Sequence, residues 1–392
     1  MLRDRAIVLL ALGQTFIWAG LYYIFPASLV RWEADLGWAR TDLTFAIALA
    51  ILASAIASPF TGRLIDRGYG AVLMGFTAAT GGVCLIILSS ISALWQFYML
   101  WLVIGVCLAG CLYEPCFAIV TRARGAQAKR GITAITLIAG FAGTVSFPLI
   151  FYLSEAVGWR LTFVFVGAAV ILVIAPILAT GANLLGENPD PPKVVGDYES
   201  KSKGLTKQPT FWALGLGFAL LAVVHGATLH HLLPLLNERG VNAEVAVFAA
   251  ASIGPMQVVG RLLMLGTDRF FSHRSFTLIA FGVMAVSVAI LKGTGTDLRG
   301  IGLAVILFGS AYGMVSILRP ILARDVLGEA NFGAKSGALA LLYLAASAGS
   351  AWFGAWLWGL IGYDAMLLVL LVFAAAGATL FEFAHRMSRR AN

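Results

Sequence analysis

The chain has 392 residues, of which 60% are hydrophobic and only 12% charged, with a mean hydropathy of +0.90. Soluble domains carry about 25% charged residues, so the composition excludes that class and makes membrane spans the useful unit of counting. The net charge of +8 does not point to nucleic acid, because the basic residues sit in short loops between apolar runs, where they set topology.

Twelve apolar segments are long enough to cross a bilayer, which takes ~20 residues. Six lie in the first half, at 6–30, 43–65, 71–91, 94–121, 132–154 and 161–183. The first follows Arg3 and Arg5 in the manner of a signal peptide. It is too long for one, and the stretch from Trp18 to Phe25 is too bulky for a cleavage region, so it is expected to be a span. Gln14, Trp18 and Tyr22 recur at i, i+4 and i+8 on it, with Tyr23 alongside. That stripe reads either as helix packing or as the wall of a solute cavity. The second span ends in Gly62-Arg63-Leu64-Ile65-Asp66-Arg67, where Asp66 and Arg67 are gate candidates.

Glu114-Pro115 lies inside the fourth span. A carboxylate buried there without a partner tends to hold a proton, which makes Glu114 a candidate proton carrier. The alternative is a structural ion pair or hydrogen bond. Pro115 is expected to bend the helix and free a carbonyl. Cys84, Cys107, Cys111 and Cys116 all fall in apolar segments without a Cys-x-x-Cys pair, so they read as buried thiols, neither a disulfide framework nor a zinc site.

Residues 184–208 form the only long polar stretch, with Pro189, Pro191, Pro192 and mixed charges. They read as a cytoplasmic linker between the bundles 1–183 and 209–392. Six further spans follow, at 210–236, 243–266, 275–291, 301–323, 336–360 and 365–384. His225, His230 and His231 sit in the seventh. No carboxylate falls between His225 and His230, so a metal site is not expected, and His230 is the histidine expected to face solute.

The eighth span carries Gln257 and Gly260-Arg261-Leu262, with the gate candidates Asp268 and Arg269 at its polar exit. An arginine in lipid costs from ~2.5 to over 10 kcal/mol, so Arg261 must face the protein interior or a wet cavity. Its planar donor fork suits a carboxylate, and a gate role like that of Arg63 is the alternative. In the tenth span Arg319-Pro320 either meets an anionic solute or snorkels toward the cytoplasm beside Arg324. Tyr312, Tyr343 and Ser347 are further polar candidates. The small-residue runs 140–146 and 345–350 let helices approach closely and are expected to form a sliding interface between the halves.

The halves repeat. Pro26 and Pro234, the two Gly-Arg-Leu triplets, Gly131 and Gly337, Gly143 and Gly349, and Gly158-Trp159 and Gly362-Tyr363 recur at separations between 198 and 208. A duplicated six-span unit follows, one known plan for transporters. With the N-terminus inside, inner loops hold 19 of the 27 basic residues and outer loops 6, which places both termini in the cytoplasm.

These features resemble the major facilitator superfamily. The loop at Gly62, Asp66, Arg67 and Gly70 is similar to that family's signature. Gly37-Trp38 with Thr41, the run from His231 to Leu236, and Gly260-Arg261-Leu262 resemble its monocarboxylate and oxalate–formate branch. The resemblance implies an all-α integral membrane fold, twelve helices in two pseudo-symmetric six-helix bundles, working by alternating access. It also implies that Arg261 binds a substrate carboxylate. The expected function is a secondary active transporter of a small organic anion, coupled to protons. An anion antiporter, or an efflux carrier for a larger aromatic or drug-like solute, is the alternative.

Substrate contacts are expected from Arg261, Arg319, His230, Gln257, Trp18, Tyr22, Gln14 and Tyr312. Glu114 and Arg319, 205 residues apart, are expected at similar depth, balancing each other's charge. No His-Glu-x-x-His, nucleophile elbow or phosphate loop occurs, so no enzyme is expected, and no cofactor or metal. The expected partners are the organic anion, protons and the lipid bilayer, with no nucleic acid. The chain is expected to be a monomer in a bacterial inner membrane.

Overall fold

A computed structural model describes residues 4–186, 208–327 and 332–391 of the chain. Among them every regular element is helical. The expected linker falls almost wholly outside the described residues. The chain divides into two compact units, Met1–Val194 and Val195–Asn392.

The first unit opens with α1 (Arg5–Ile17), a π-helical turn (Trp18–Tyr23) and α2 (Ile24–Leu36), which run on as one long element. Then come α3 (Arg40–Asp66), α4 (Gly70–Leu88), α5 (Leu94–Cys111), α6 (Tyr113–Arg124), α7 (Ala128–Ala139), α8 (Ala142–Ala169) and α9 (Ala175–Leu184). The second unit holds α10 (Pro209–Glu238), α11 (Ala243–Thr267), α12 (His273–Gly293), α13 (Leu298–Leu327) and α14 (Phe332–Ala391).

Local chemistry sets the ends. Asp4 accepts from the Ala6 amide, Asn242 from the Glu244 and Val245 amides, and Ser272 from the Ser275 amide, so each caps orphan donors at a helix start. Gly37 closes α2 at φ 67°. Among the described residues, ten helical stretches are long and apolar enough to cross a membrane. Two of them, Ala128–Leu184 and Gly337–Arg389, are interrupted at Gly158 (φ 79°) and Gly362 (φ 72°), between the spans expected there. Large apolar side chains such as Leu172 and Phe76 are 73% and 70% exposed, an outer surface suited to hydrocarbon and not to water. The protein is an all-α integral membrane protein.

The duplication is visible in the register. Arg5 and Pro209 begin helices 204 residues apart, Arg40 and Ala243 203, Gly70 and His273 203, and Leu94 and Leu298 204. This corrects one sequence expectation. The two Gly-Arg-Leu triplets lie only 198 apart, so the counterpart of Arg261 at a spacing of 203 is Ser58, and Arg63 lies five residues nearer its helix end.

Close helix contacts repeat in the same register. A Cβ on Gly105 of α5 would lie 2.1 Å from the Ala50 carbonyl oxygen of α3. One on Gly309 of α13 would lie 2.7 Å from the Ile253 carbonyl oxygen of α11. Only glycine lets the backbones approach this closely. The small-residue runs pack against the first span of their own unit: Ser146 donates to the Ala19 carbonyl at 2.8 Å, and Ser350 lies against Gly226. All four cysteines are buried and free.

Candidate functional site

Each unit gathers part of the expected site. In the first, span four is not one helix. Leu112 adopts an extended conformation (φ −84°, ψ −155°), ending α5 and restarting the chain as α6. Pro115 has no N–H to give to the Cys111 carbonyl four residues back. Gln14 Nε2 takes that place, donating to the Cys111 oxygen at 2.8 Å. Gln14 is fully buried, so its amide braces two helices where the sequence suggested a solute contact.

The break also resets the phase of α6. Pro115 and Cys116 turn inward, and Glu114, in the first helical turn, turns outward and is exposed. This corrects the expectation of a buried carboxylate. Among the described residues Glu114 makes no ion pair or hydrogen bond, so the alternative of a structural pair is not realised there.

Opposite this break, span one leaves the α-helical form. The π-helical turn from Trp18 to Tyr23 presents three aromatic rings. Trp18 packs edge-on against Tyr22 with centroids 5.0 Å apart, and meets Tyr113 at 4.9 Å. Tyr113 in turn stacks on Phe117 at 5.0 Å, within 15° of parallel. Trp18, Tyr22, Tyr113 and Phe117 are all half-buried. Tyr113 and Phe117 were not among the expected site residues, although their i, i+4 spacing beside Glu114 was a usable signal.

In the second unit α13 presents Tyr312, Ser316 and Arg319 at i, i+4 and i+7, one helical face. Ser316 brings in α11. Arg261 is buried, at 7% exposure, and donates from Nε to the Ser316 hydroxyl at 3.2 Å; Ser316 donates to the Gly313 carbonyl at 2.8 Å. Gln257, one turn before Arg261, is also buried, and its carbonyl oxygen would lie 2.1 Å from a Cβ on Gly313. The Arg319 guanidinium lies over the Tyr343 ring, 4.1 Å from its centroid, a cation–π contact. Tyr312 stacks on His225 at 3.4 Å and 7°, and Phe308 faces the same imidazole at 5.3 Å. Thus Arg261, Gln257, Arg319 and Tyr312 converge on α13.

His230 does not join them. It is 1% exposed and bonds through Nδ1 to the Gly226 carbonyl of its own helix at 2.8 Å. The reason is that α10 is buried almost all round, so neither His230 nor His231 meets open space. His231 is held by the Ala351 carbonyl at 2.8 Å and the Tyr363 hydroxyl at 3.2 Å.

Asp66 and Arg67 are exposed at the end of α3, and Asp268 and Arg269 at the end of α11. The Asp66 backbone carbonyl accepts from Arg122 of α6 at 2.6 Å, a cation on a helix C-terminus. Arg269 covers the Phe270 ring at 4.5 Å. No group of three or more metal-ligating side chains occurs among the described residues.

The family model described as Major Facilitator Superfamily matches residues 10–351. No curated protein sequence matches the chain. Among solved structures, a bacterial homologue of the human lysosomal transporter Spinster, inward-facing and occupied, superposes with a TM-score of 0.71 at 17% identity, covering 98% of this chain and 97% of that one. A mutant of the nucleoside transporter NupG gives 0.76 at 12% identity, over 97% and 98% of the two chains. NupG itself gives 0.70 at 12% identity over the same shares. At such identities the likeness concerns the fold.

Proposed function

The chain belongs to the Major Facilitator Superfamily, and from that premise we propose a secondary active transporter that moves a small organic anion, a carboxylate, by alternating access in symport with protons. It is a membrane transporter and not an enzyme. The observation that carries the anion reading is Arg261, a permanently charged side chain buried inside a membrane span. The desolvation cost of such a cation is offset when an anion shares its donor fork. Arg319, half-buried one turn beyond Ser316, adds a second cation in the same unit.

Glu114 is the proposed proton carrier. Its carboxylate lies in a membrane span, exposed and with no ion pair or hydrogen bond among the described residues. The 19-to-6 distribution of basic residues supports cytoplasmic termini, and a bacterial inner membrane is the proposed location. Counting the two interrupted helices as two spans each supports a twelve-span topology; the carrier is proposed to act as a monomer.

The test is thermal unfolding of the purified protein with a panel of organic carboxylates and their neutral amides at two pH values. A ligand at a hundred times its Kd stabilises the folded state by about 2.7 kcal/mol. Stabilisation by carboxylates and not by amides supports the reading; the reverse overturns it.

A further inference from the structure

The buried aromatic core of the first unit, with Phe25, Trp32, Phe97 and Trp101, does not include Trp18, Tyr22, Tyr113 and Phe117, which are half-buried. At a spacing of 204, the second unit places Ala222, Ile317 and Ile321 where the first has Trp18, Tyr113 and Phe117. A duplicated scaffold that folds with small and aliphatic side chains at these three places does not need rings there for packing. The rings also gather where both of their spans leave the α-helical form, at the π-helical turn and beside the break at Leu112. Such irregular turns are often found at functional sites.

Glu114 shows what this face meets. It lies between Tyr113 and Phe117 in the same turn of α6, exposed and with no ion pair or hydrogen bond among the described residues. A carboxylate turned toward hydrocarbon at mid-span would be costly, so this face of α6 is wet. Half-exposed rings on a wet face inside a membrane are offered to solute and not to lipid. Tyr113 and Phe117 stack on each other within 15° of parallel, and Trp18 meets Tyr113 at 4.9 Å, so the rings form a stack that a further ring can extend. Offset-stacked and edge-on contacts are the arrangements a further ring prefers.

We propose that Trp18, Tyr22, Tyr113 and Phe117 form a stacking subsite for a planar ring carried by the transported solute. The proposal rests on the anion reading above and narrows it: the preferred carboxylate is an aromatic one, not a short aliphatic one.

Thermal stabilisation by benzoate, benzamide and propionate tests it on the purified full-length protein. Wild type should prefer benzoate over propionate by roughly tenfold in apparent affinity. Phe117→Leu and Trp18→Leu should bring that ratio toward one, and Trp18→Phe, which keeps a ring, should preserve it. If Trp18→Leu does not fold, Phe117→Leu decides. An absent preference in wild type, or one that survives both leucine variants, overturns the subsite. If benzamide stabilises as well as benzoate and Phe117→Leu abolishes both effects, the ring subsite stands while the anion reading falls.

Discussion

Gln14 donates its side-chain amide to the carbonyl of Cys111, 97 residues away, the same carbonyl that Pro115 leaves without its helical donor. The bond joins the first span to the break in the fourth, so loss of either partner should be felt at both. Gln14→Leu should destabilise the protein by about 1–3 kcal/mol, since it strands a buried acceptor. In a Pro115→Ala background the residue-115 N–H is restored, and the same substitution should cost less. Melting temperatures for the four members of this cycle measure the coupling. Equal costs in both backgrounds would mean that the proline is not what makes Gln14 necessary.

Arg261 should be required for anion binding and not for folding. Arg261→Ala should abolish stabilisation by carboxylates while the protein still purifies as a single species in detergent. Arg261→Lys should also be impaired, because a point charge does not reproduce a two-pronged donor. Wild-type affinity in the lysine variant would remove Arg261 from the binding site.

Glu114→Gln should mimic the protonated carrier. Counterflow of substrate in proteoliposomes should continue with weaker pH dependence, while accumulation driven by a proton gradient should fail. A Glu114→Gln protein that still concentrates substrate with the wild-type pH profile would exclude Glu114 from coupling.

Two glycines should respond in opposite ways. Gly105→Ala drives a methyl group into the Ala50 carbonyl at 2.1 Å, and should lower stability by at least 1–3 kcal/mol as α3 and α5 separate. Gly282→Ala in α12, with nothing within 4 Å of its Cβ, should leave the melting temperature unchanged or raised. A stable Gly105→Ala protein would mean that these helices have room to spare.

The spans and the interruptions between them were legible because hydropathy and glycine content are local properties. Gly158 and Gly362 each mark the turn between adjacent spans, and each adopts a positive φ that other residues resist. The outward turn of Glu114 was not legible. It depends on a phase reset at Leu112, an ordinary residue whose extended conformation no local sequence pattern announces. Nor was the role of Gln14, whose partner is a backbone oxygen on another span that no sequence pattern advertises. Arg261 was found from its cost in lipid. Its equivalence with Arg63 was misread, because a shared triplet is weaker information than the register of whole helices. His230 was misplaced for a related reason: α10 is buried on nearly all sides, and a single apolar helix does not announce how many neighbours will cover it.

The π-helical turn also preserves a trace of descent. Gly13 and Gly217 are 204 residues apart, but Gly37 and Gly240 only 203, so the first span holds one residue more than the seventh between matched points. A ring closed from i to i+5 encloses one residue more than one closed from i to i+4, which is how a helix absorbs an insertion without lengthening. After the ancestral gene doubled, a single-codon insertion in one copy, or a deletion in the other, would leave this difference. It rotated the residues after it by about 100° relative to those before it. Matched positions in the two halves beyond the turn therefore need not expose the same side chains, although the helices that carry them correspond.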